Sequence, residues 1–302
     1  MCPVRRQRER GQSTVEWIGL VLLVALIGLI VLAALAGRAQ GLELARALAS
    51  RILCAASLAG DACTEVSDPE LVAEYGVELA RTVRRVAPTI AYERGMRAVP
   101  VDFRSCREDP CSMGSSRGVA IASDHGEPVT LFVRVADCRG ETPGDEPGLD
   151  CSGVRAGSLY LQYWAYYPGS QSLRALPGDI GHHDDDWESL QVRIGPGGRE
   201  ARASSHHGYN HRSGPGNWLS DAGIAPRDAW GEWGGRYHVS GGSHAGHAWE
   251  PRGPLARWTP GSAVRLIPVE AVARGPWADT SFEVTPPWRK RVYLDPEHRG
   301  TG

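Results

Sequence analysis

The chain has 302 residues, with 33 basic against 35 acidic side chains and a formal net charge of −2. At 42% hydrophobic and 23% charged residues it lies in the globular range, which excludes a disordered or collagen-like chain; the near-neutral balance excludes a general nucleic-acid binder. With 37 glycines and 21 prolines, many turns and a β-rich body are predicted instead of a helical bundle.

Residues 1–16 form a basic leader containing Arg5, Arg6, Arg8 and Arg10. Residues 17–37, WIGLVLLVALIGLIVLAALAG, carry no charge. About 20 apolar residues rising 1.5 Å each cross the roughly 30 Å hydrocarbon core, so a single transmembrane helix is predicted here. The arginine excess before it holds the N-terminus in the cytoplasm and places the rest of the chain outside the cell membrane. The junction RERGQSTVEW resembles the class III signal of type IV pilin-like proteins, particularly the Flp and TadE-like group. That resemblance implies a prepilin peptidase as partner, cutting between Gly11 and Gln12. It also implies that Glu16 pairs with the new N-terminal amine of a neighbouring subunit. An ordinary signal-anchor with Glu16 at the membrane edge is the alternative.

Cys2 falls on the cytoplasmic side, leaving Cys54, Cys63, Cys106, Cys111, Cys138 and Cys151 in the exported part. An even count there predicts three disulfides, and proximity favours sequential pairing among the connectivities that six cysteines allow. No pair has the spacing of a zinc ribbon or a CxxC redox site.

Residues 38–97 read as a helical stalk. A first stretch, 38–53, carries Leu42, Leu44, Leu48 and Ile52. A second, amphipathic helix opens at Ser67-Asp68-Pro69-Glu70 and runs to Pro88, with Leu71, Val72, Tyr75, Leu79, Val83 and Val86 at helical spacing. Its polar side mixes glutamate and arginine, so it is predicted to pack on the following domain and not on a lipid surface.

Residues 98–302 read as the exported domain. Period-two segments at 130–135, 159–167, 187–194, 201–209, 236–240, 264–269 and 281–285 are separated by turns such as GETPGDEPG and IGPGG. The fold class predicted is mainly β: an antiparallel β-sandwich preceded by one transmembrane helix and one amphipathic helix.

Eight of the ten histidines fall between His182 and His247, in GHHDDDWE, SSHHGYNH and YHVSGGSHAGH. In Asp186-Trp187-Glu188, alternation puts both carboxylates on the face that continues with Leu190, Val192 and Ile194. Buried carboxylates are costly unless paired or bound to a cation, so His183, Asp186 and Glu188 are predicted to hold a divalent ion. Asp179, His207, His238 and His244 are candidate additional ligands or supports. The oxygen-rich set favours Mg²⁺, Ca²⁺ or Mn²⁺, with Zn²⁺ the alternative if imidazoles dominate. A solvated acidic turn with scattered surface histidines is the bland reading of the same residues.

GHHDDDWESLQV resembles the Gly-His-Arg-His-Asp-Trp-Glu element of necrosis-inducing proteins and the His-Glu-Gly-Asp-Trp-Glu element of vacuolar-protein-sorting-62 type domains. YLQYWAYYP, SSHHGY and VSGGSHAGH extend the likeness over about residues 158–250. The resemblance implies a β-sandwich that binds a divalent ion, with the family histidine on His183 and the metal-binding acids on Asp186 and Glu188, and it implies recognition of sphingolipid head-group sugars. Two departures stand in this sequence: Asp185 occupies the second family histidine position, and one extra residue separates Gly181 from Trp187.

Three functions follow as expectations. The first is a membrane-anchored module that uses its ion to bind a glycan or lipid head group, with Trp218, Trp230, Trp233 and Trp249 as stacking surfaces or core. The second is a metal-dependent hydrolase with Asp184 or Asp185 as base. The third is a pilin-like component of an envelope assembly. Ser204 and Ser205 beside His206 and His207 give only a weak nucleophile signal, because strand neighbours face opposite ways. Whether the chain is an enzyme is open on sequence.

Overall fold

The computed structural model describes residues 68–94, 96, 98–108, 128–140, 147–170, 183–205, 208–210, 230–241, 243–250, 258 and 264–300. The chain divides into two compact units, Met1–Ser67 and Asp68–Gly302, and every described residue belongs to the second. The leader, the run 17–37, Gly11, Gln12, Glu16, Cys54, Cys63, Cys111, Asp179, His207, Trp218 and the side chain of Cys106 lie outside the described residues. Among the described residues no helix is long and apolar enough to cross a membrane.

Helix α1 (Pro69–Val86) opens on the predicted proline, but Asp68 makes no side-chain cap. Its carboxylate instead takes the Arg84 guanidinium, with Nη2 at 2.6 Å from Oδ1, fastening the helix to its own entry. Gly76 sits at φ 72°, outside helical values, and kinks the helix. Leu71, Ala80, Val83 and Val86 are buried, and the helix packs on the sheet: the Tyr163 hydroxyl donates to the Val83 carbonyl at 2.9 Å.

The remaining elements are β1 (Thr89–Tyr92), α2 (Phe103–Glu108), β2 (Thr130–Asp137), β3 (Leu159–Ser170), β4 (His183–Gly195), β5 (Gly198–Ser205), β6 (Gly208–Asn210), β7 (Gly231–Glu232), β8 (Arg236–Val239), β9 (Gly246–His247), β10 (Arg265–Pro268) and α3 (Val269–Ala273). A seven-stranded sheet runs β10-β2-β3-β4-β5-β6, with β7 also paired to β5; a smaller sheet runs β1-β8-β9. The body is mainly β, but the sheets are mixed where antiparallel ones are predicted: β10 joins β2, and β8 joins β1, in parallel. Both parallel pairs join segments more than a hundred residues apart, which gives the long crossover that parallel pairing needs. The predicted strand 281–285 is absent as well. Its Glu283 amide is spent on the Asp185 carboxylate at 2.9 Å, and the short helical turn Pro287–Arg289 follows.

β2 and β3 are buried nearly end to end because both faces of the large sheet are covered. On one face a polar row crosses four strands in register: Arg134 beside Gln162, Gln162 beside Gln191, Gln191 beside Arg202. The C-terminal segment lies over this row and accepts its hydrogen bonds through main-chain carbonyls. Arg134 Nε donates to Tyr293 at 3.0 Å, Gln162 Nε2 to Val292 at 2.7 Å, and Arg202 Nη2 to Pro296 at 2.8 Å. Farther along that face Phe103, Phe132, Tyr166, Trp187, Phe282 and Trp288 form a buried aromatic cluster. Cys138 and Cys151 are joined by a disulfide at the base of the intervening loop.

Candidate functional site

The opposite face of β4 carries Asp186 and Glu188, where β9 lies against β4 and β5. Two residues apart on a strand places their Cα atoms about 7 Å from each other on one side. Asp186 is 5% exposed, and its Oδ2 meets Nδ1 of His244 at 2.7 Å; His244 is 1% exposed and stacks on Tyr167 with ring centroids 4.0 Å apart. Glu188 Oε2 accepts from the Ser204 hydroxyl, whose oxygen in turn accepts the Ser189 amide at 2.6 Å. Each carboxylate is therefore oriented by a polar neighbour, His244 for Asp186 and Ser204 for Glu188.

The surroundings are those of a desolvated anionic site. Burial raises the Tyr167 hydroxyl well above the usual phenol range, and Tyr237, Tyr92, Asp186 and Glu188 push it further. Tyr237 is raised by burial and then by Glu188 and Asp186. Tyr209, also raised by burial, reaches about 12. Lys290, 6% exposed, is the sole lysine of the chain and feels both carboxylates: burial lowers its ammonium, while Glu188 and Asp186 oppose that shift. Asp185 at φ 60° and His244 at φ 54° are the positive-φ non-glycine residues among those described. Such conformations cost energy and persist where surrounding contacts impose them, here on both sides of the Asp186–His244 bond.

The remaining sequence candidates separate. His183 is three residues from Asp186, about 10 Å along the strand and of opposite parity; its Nδ1 lies 3.2 Å from the Asp184 carbonyl. His183 does not join Asp186 and Glu188, and among the described residues no group of three or more His, Cys, Asp or Glu side chains is placed to hold a metal ion. Asp185 turns to the other face, where it accepts from the Tyr166 hydroxyl at 2.7 Å and from the Glu283 amide, so it latches the C-terminal segment. His238 sits on the far side of the small sheet, edge-on to Trp258 at 5.0 Å. Ser204 is engaged by Glu188, and the side chains of Ser205, His206 and His207 lie outside the described residues. Trp230 is packed under Arg193 and Arg202, whereas Trp249 is 41% exposed. Sequence reasoning missed Tyr167, Tyr237 and Lys290. Of these only Lys290 left a signal, as the single lysine in an arginine-rich chain.

No family model matches the chain, and no curated protein matches it. Among solved structures it is similar to NLPPya in complex with glucosamine and in complex with mannosamine, in each case at 17% identity and TM-score 0.37, over 72% of this chain and 87% of the other. It is also similar, at 18% identity and TM-score 0.37, to a structure described as a toxin fold for microbial attack and plant defense, over 71% of this chain and 87% of that one. An overlap this shallow transfers neither ligand nor residue roles, and the site stands on its own geometry.

Proposed function

We propose that the protein is an extracytoplasmic binding module, tethered by residues 17–37, in which Asp186 and Glu188 hold a divalent cation that presents itself to the hydroxyls of a glycan or lipid head group. The observation that carries this reading is the pair of carboxylates on one face of β4, Asp186 buried and Glu188 half-buried, each oriented by a hydrogen-bonding neighbour. The donor set fits a hard ion such as Mg²⁺, Ca²⁺ or Mn²⁺. Two protein carboxylates satisfy only part of such a shell and leave the rest to water and ligand oxygens. That incompleteness suits recognition of hydroxyls, since an ion caged wholly by protein has no position to offer. His244 then acts as a positioning residue, fixing the Asp186 carboxylate. The resemblance of Asp186-Trp187-Glu188 to the necrosis-inducing element points the same way.

The test is retention on a mixed glycan and lipid array, with and without chelator, for the wild type, Asp186→Asn and Glu188→Gln. The reading expects retention that falls to background with chelator and in either variant. Equal retention in all cases would contradict it. A second reading, a metal-dependent hydrolase, is favoured by one feature, the imidazole oriented by Asp186 and stacked on Tyr167. It requires metal-dependent turnover of an ester or phosphodiester that His244→Gln abolishes.

A further inference from the structure

Tyr167 lies directly opposite Asp186 in the β3–β4 register and is fully buried. Its ring stacks on His244, with centroids 4.0 Å apart and planes 17° off parallel, and His244 in turn holds Asp186 Oδ2. Ring, imidazole and carboxylate thus form one stacked unit, and packing alone asks no more of residue 167 than a phenyl ring. The phenol adds an oxygen, and that oxygen has no hydrogen-bonding partner among the described residues. A buried hydroxyl left unmet destabilises the fold, so this one calls for a partner that those residues do not supply.

The groups that act on the hydroxyl are Tyr237, Tyr92, Asp186 and Glu188. Tyr237 comes to the same space from β8, and a Cβ at position 246 would collide with its phenol, so Gly246 of β9 brings no side chain there. Phenols and carboxylates gathered in this way suit a water molecule, which needs roughly two to four polar partners. Beside a divalent ion such a water is a strong donor, because the cation draws electron density from it, and a phenol oxygen accepts from it. Two protein carboxylates also leave most of a shell of about six positions open. Mg²⁺ keeps several waters in such a site, whereas Ca²⁺ readily takes roughly six to eight protein and ligand oxygens instead. A neutral acceptor fixed next to Asp186 therefore serves the ion that keeps its water.

We propose that Tyr167 is a positioning residue of the cation site: its hydroxyl oxygen holds a water bound to the ion, so that the site takes a hydrated ion of the Mg²⁺ kind. The proposal rests on the reading of Asp186 and Glu188 as cation ligands, and it adds to them a third protein group that acts on the ion through water.

The test is calorimetric titration of the metal-free full-length chain with Mg²⁺ and with Ca²⁺, wild type beside Tyr167→Phe, together with thermal unfolding of both in chelator. The substitution keeps the ring and its stack on His244. The wild type is expected to bind Mg²⁺, and Tyr167→Phe to bind it about tenfold more weakly, the usual cost of losing a group that supports a metal site from behind its ligands. In chelator the variant should melt no lower than the wild type, since it loses a hydroxyl that nothing in the metal-free fold satisfies. A merely structural tyrosine gives the reverse, a lower melting temperature in chelator with Mg²⁺ affinity unchanged, and that result overturns the proposal. Equal Mg²⁺ affinity in the two chains, or a wild type that takes Ca²⁺ and not Mg²⁺, also overturns it and leaves the cation reading standing. A wild type that binds neither ion overturns both.

Discussion

Glu270 and Asp186 are both buried acids, and their surroundings differ in a way that separates structural charge from functional charge. Glu270 faces Arg134 Nη1 at 3.0 Å, takes the Tyr75 hydroxyl, and lies 3.4 Å from the Val135 amide. Arg134 in turn donates to the Tyr293 and Val135 carbonyls and sits 3.9 Å over the Tyr293 ring. That cluster is an acid, a base and their hydrogen bonds, complete within itself. At Asp186 a second acid, Glu188, comes from the same strand, the partner is an imidazole, and both flanking backbone conformations are strained. Burial of charge alone is thus no mark of a site; like charges gathered under strain are.

The largest effect expected from breaking this contrast is at Glu270. Glu270→Ala strands the Arg134 guanidinium and should cost about 3–5 kcal/mol in denaturant unfolding. A loss under 1 kcal/mol would show that the cluster is not the closed pair described. His247 sharpens the contrast with a third kind of buried group, one kept neutral. Burial, with a smaller contribution from His238, lowers its imidazole from 6.5 to about 3. The unfolded chain then binds the proton first, so the contribution is fully present above pH 6.5 and is lost as pH falls toward 3. Between pH 7 and pH 4 the wild type should lose about 3 kcal/mol more than His247→Asn. Parallel unfolding curves for the two proteins would contradict this.

The adjacent carboxylates give smaller effects. Asp185→Ala removes the acceptor for Tyr166 and Glu283 and puts alanine at φ 60°, so about 2 kcal/mol is expected. Faster hydrogen exchange at the Glu283 amide should accompany it, and unchanged exchange would deny the latch. Asp186→Asn relieves repulsion with Glu188, so stability without added metal should stay within about 1 kcal/mol of the wild type or rise. A loss as large as that at Glu270 would make Asp186 a structural acid and erase the contrast.

Part of this was legible in the chain. TLFVRV and LYLQYWAYY announce strands because apolar and aromatic residues fill them, and both fall in the sheet centre. Asp186 and Glu188 were readable as two acids on one face because strand parity is local. The polar row Arg134, Gln162, Gln191 and Arg202 was not, since each residue reads as outward-facing until the C-terminal segment covers it. The histidine that meets Asp186 lies 58 residues away in the turn between β8 and β9, and no spacing rule selects His244 over His183. Ser281 to Thr285 alternates like a strand but spends its Glu283 amide on Asp185, a contact that only the folded chain reveals.

The central claim is tested most directly by titrating Mg²⁺, Ca²⁺ and Mn²⁺ into the metal-free full-length chain by calorimetry, beside Asp186→Asn and Glu188→Gln. The account predicts close to one equivalent of at least one ion, lost in both variants. It also predicts thermal stabilisation of the wild type only, worth about 2.7 kcal/mol at a hundredfold excess over Kd. No heat and no shift with any of the three ions, or binding that survives both substitutions, would contradict it.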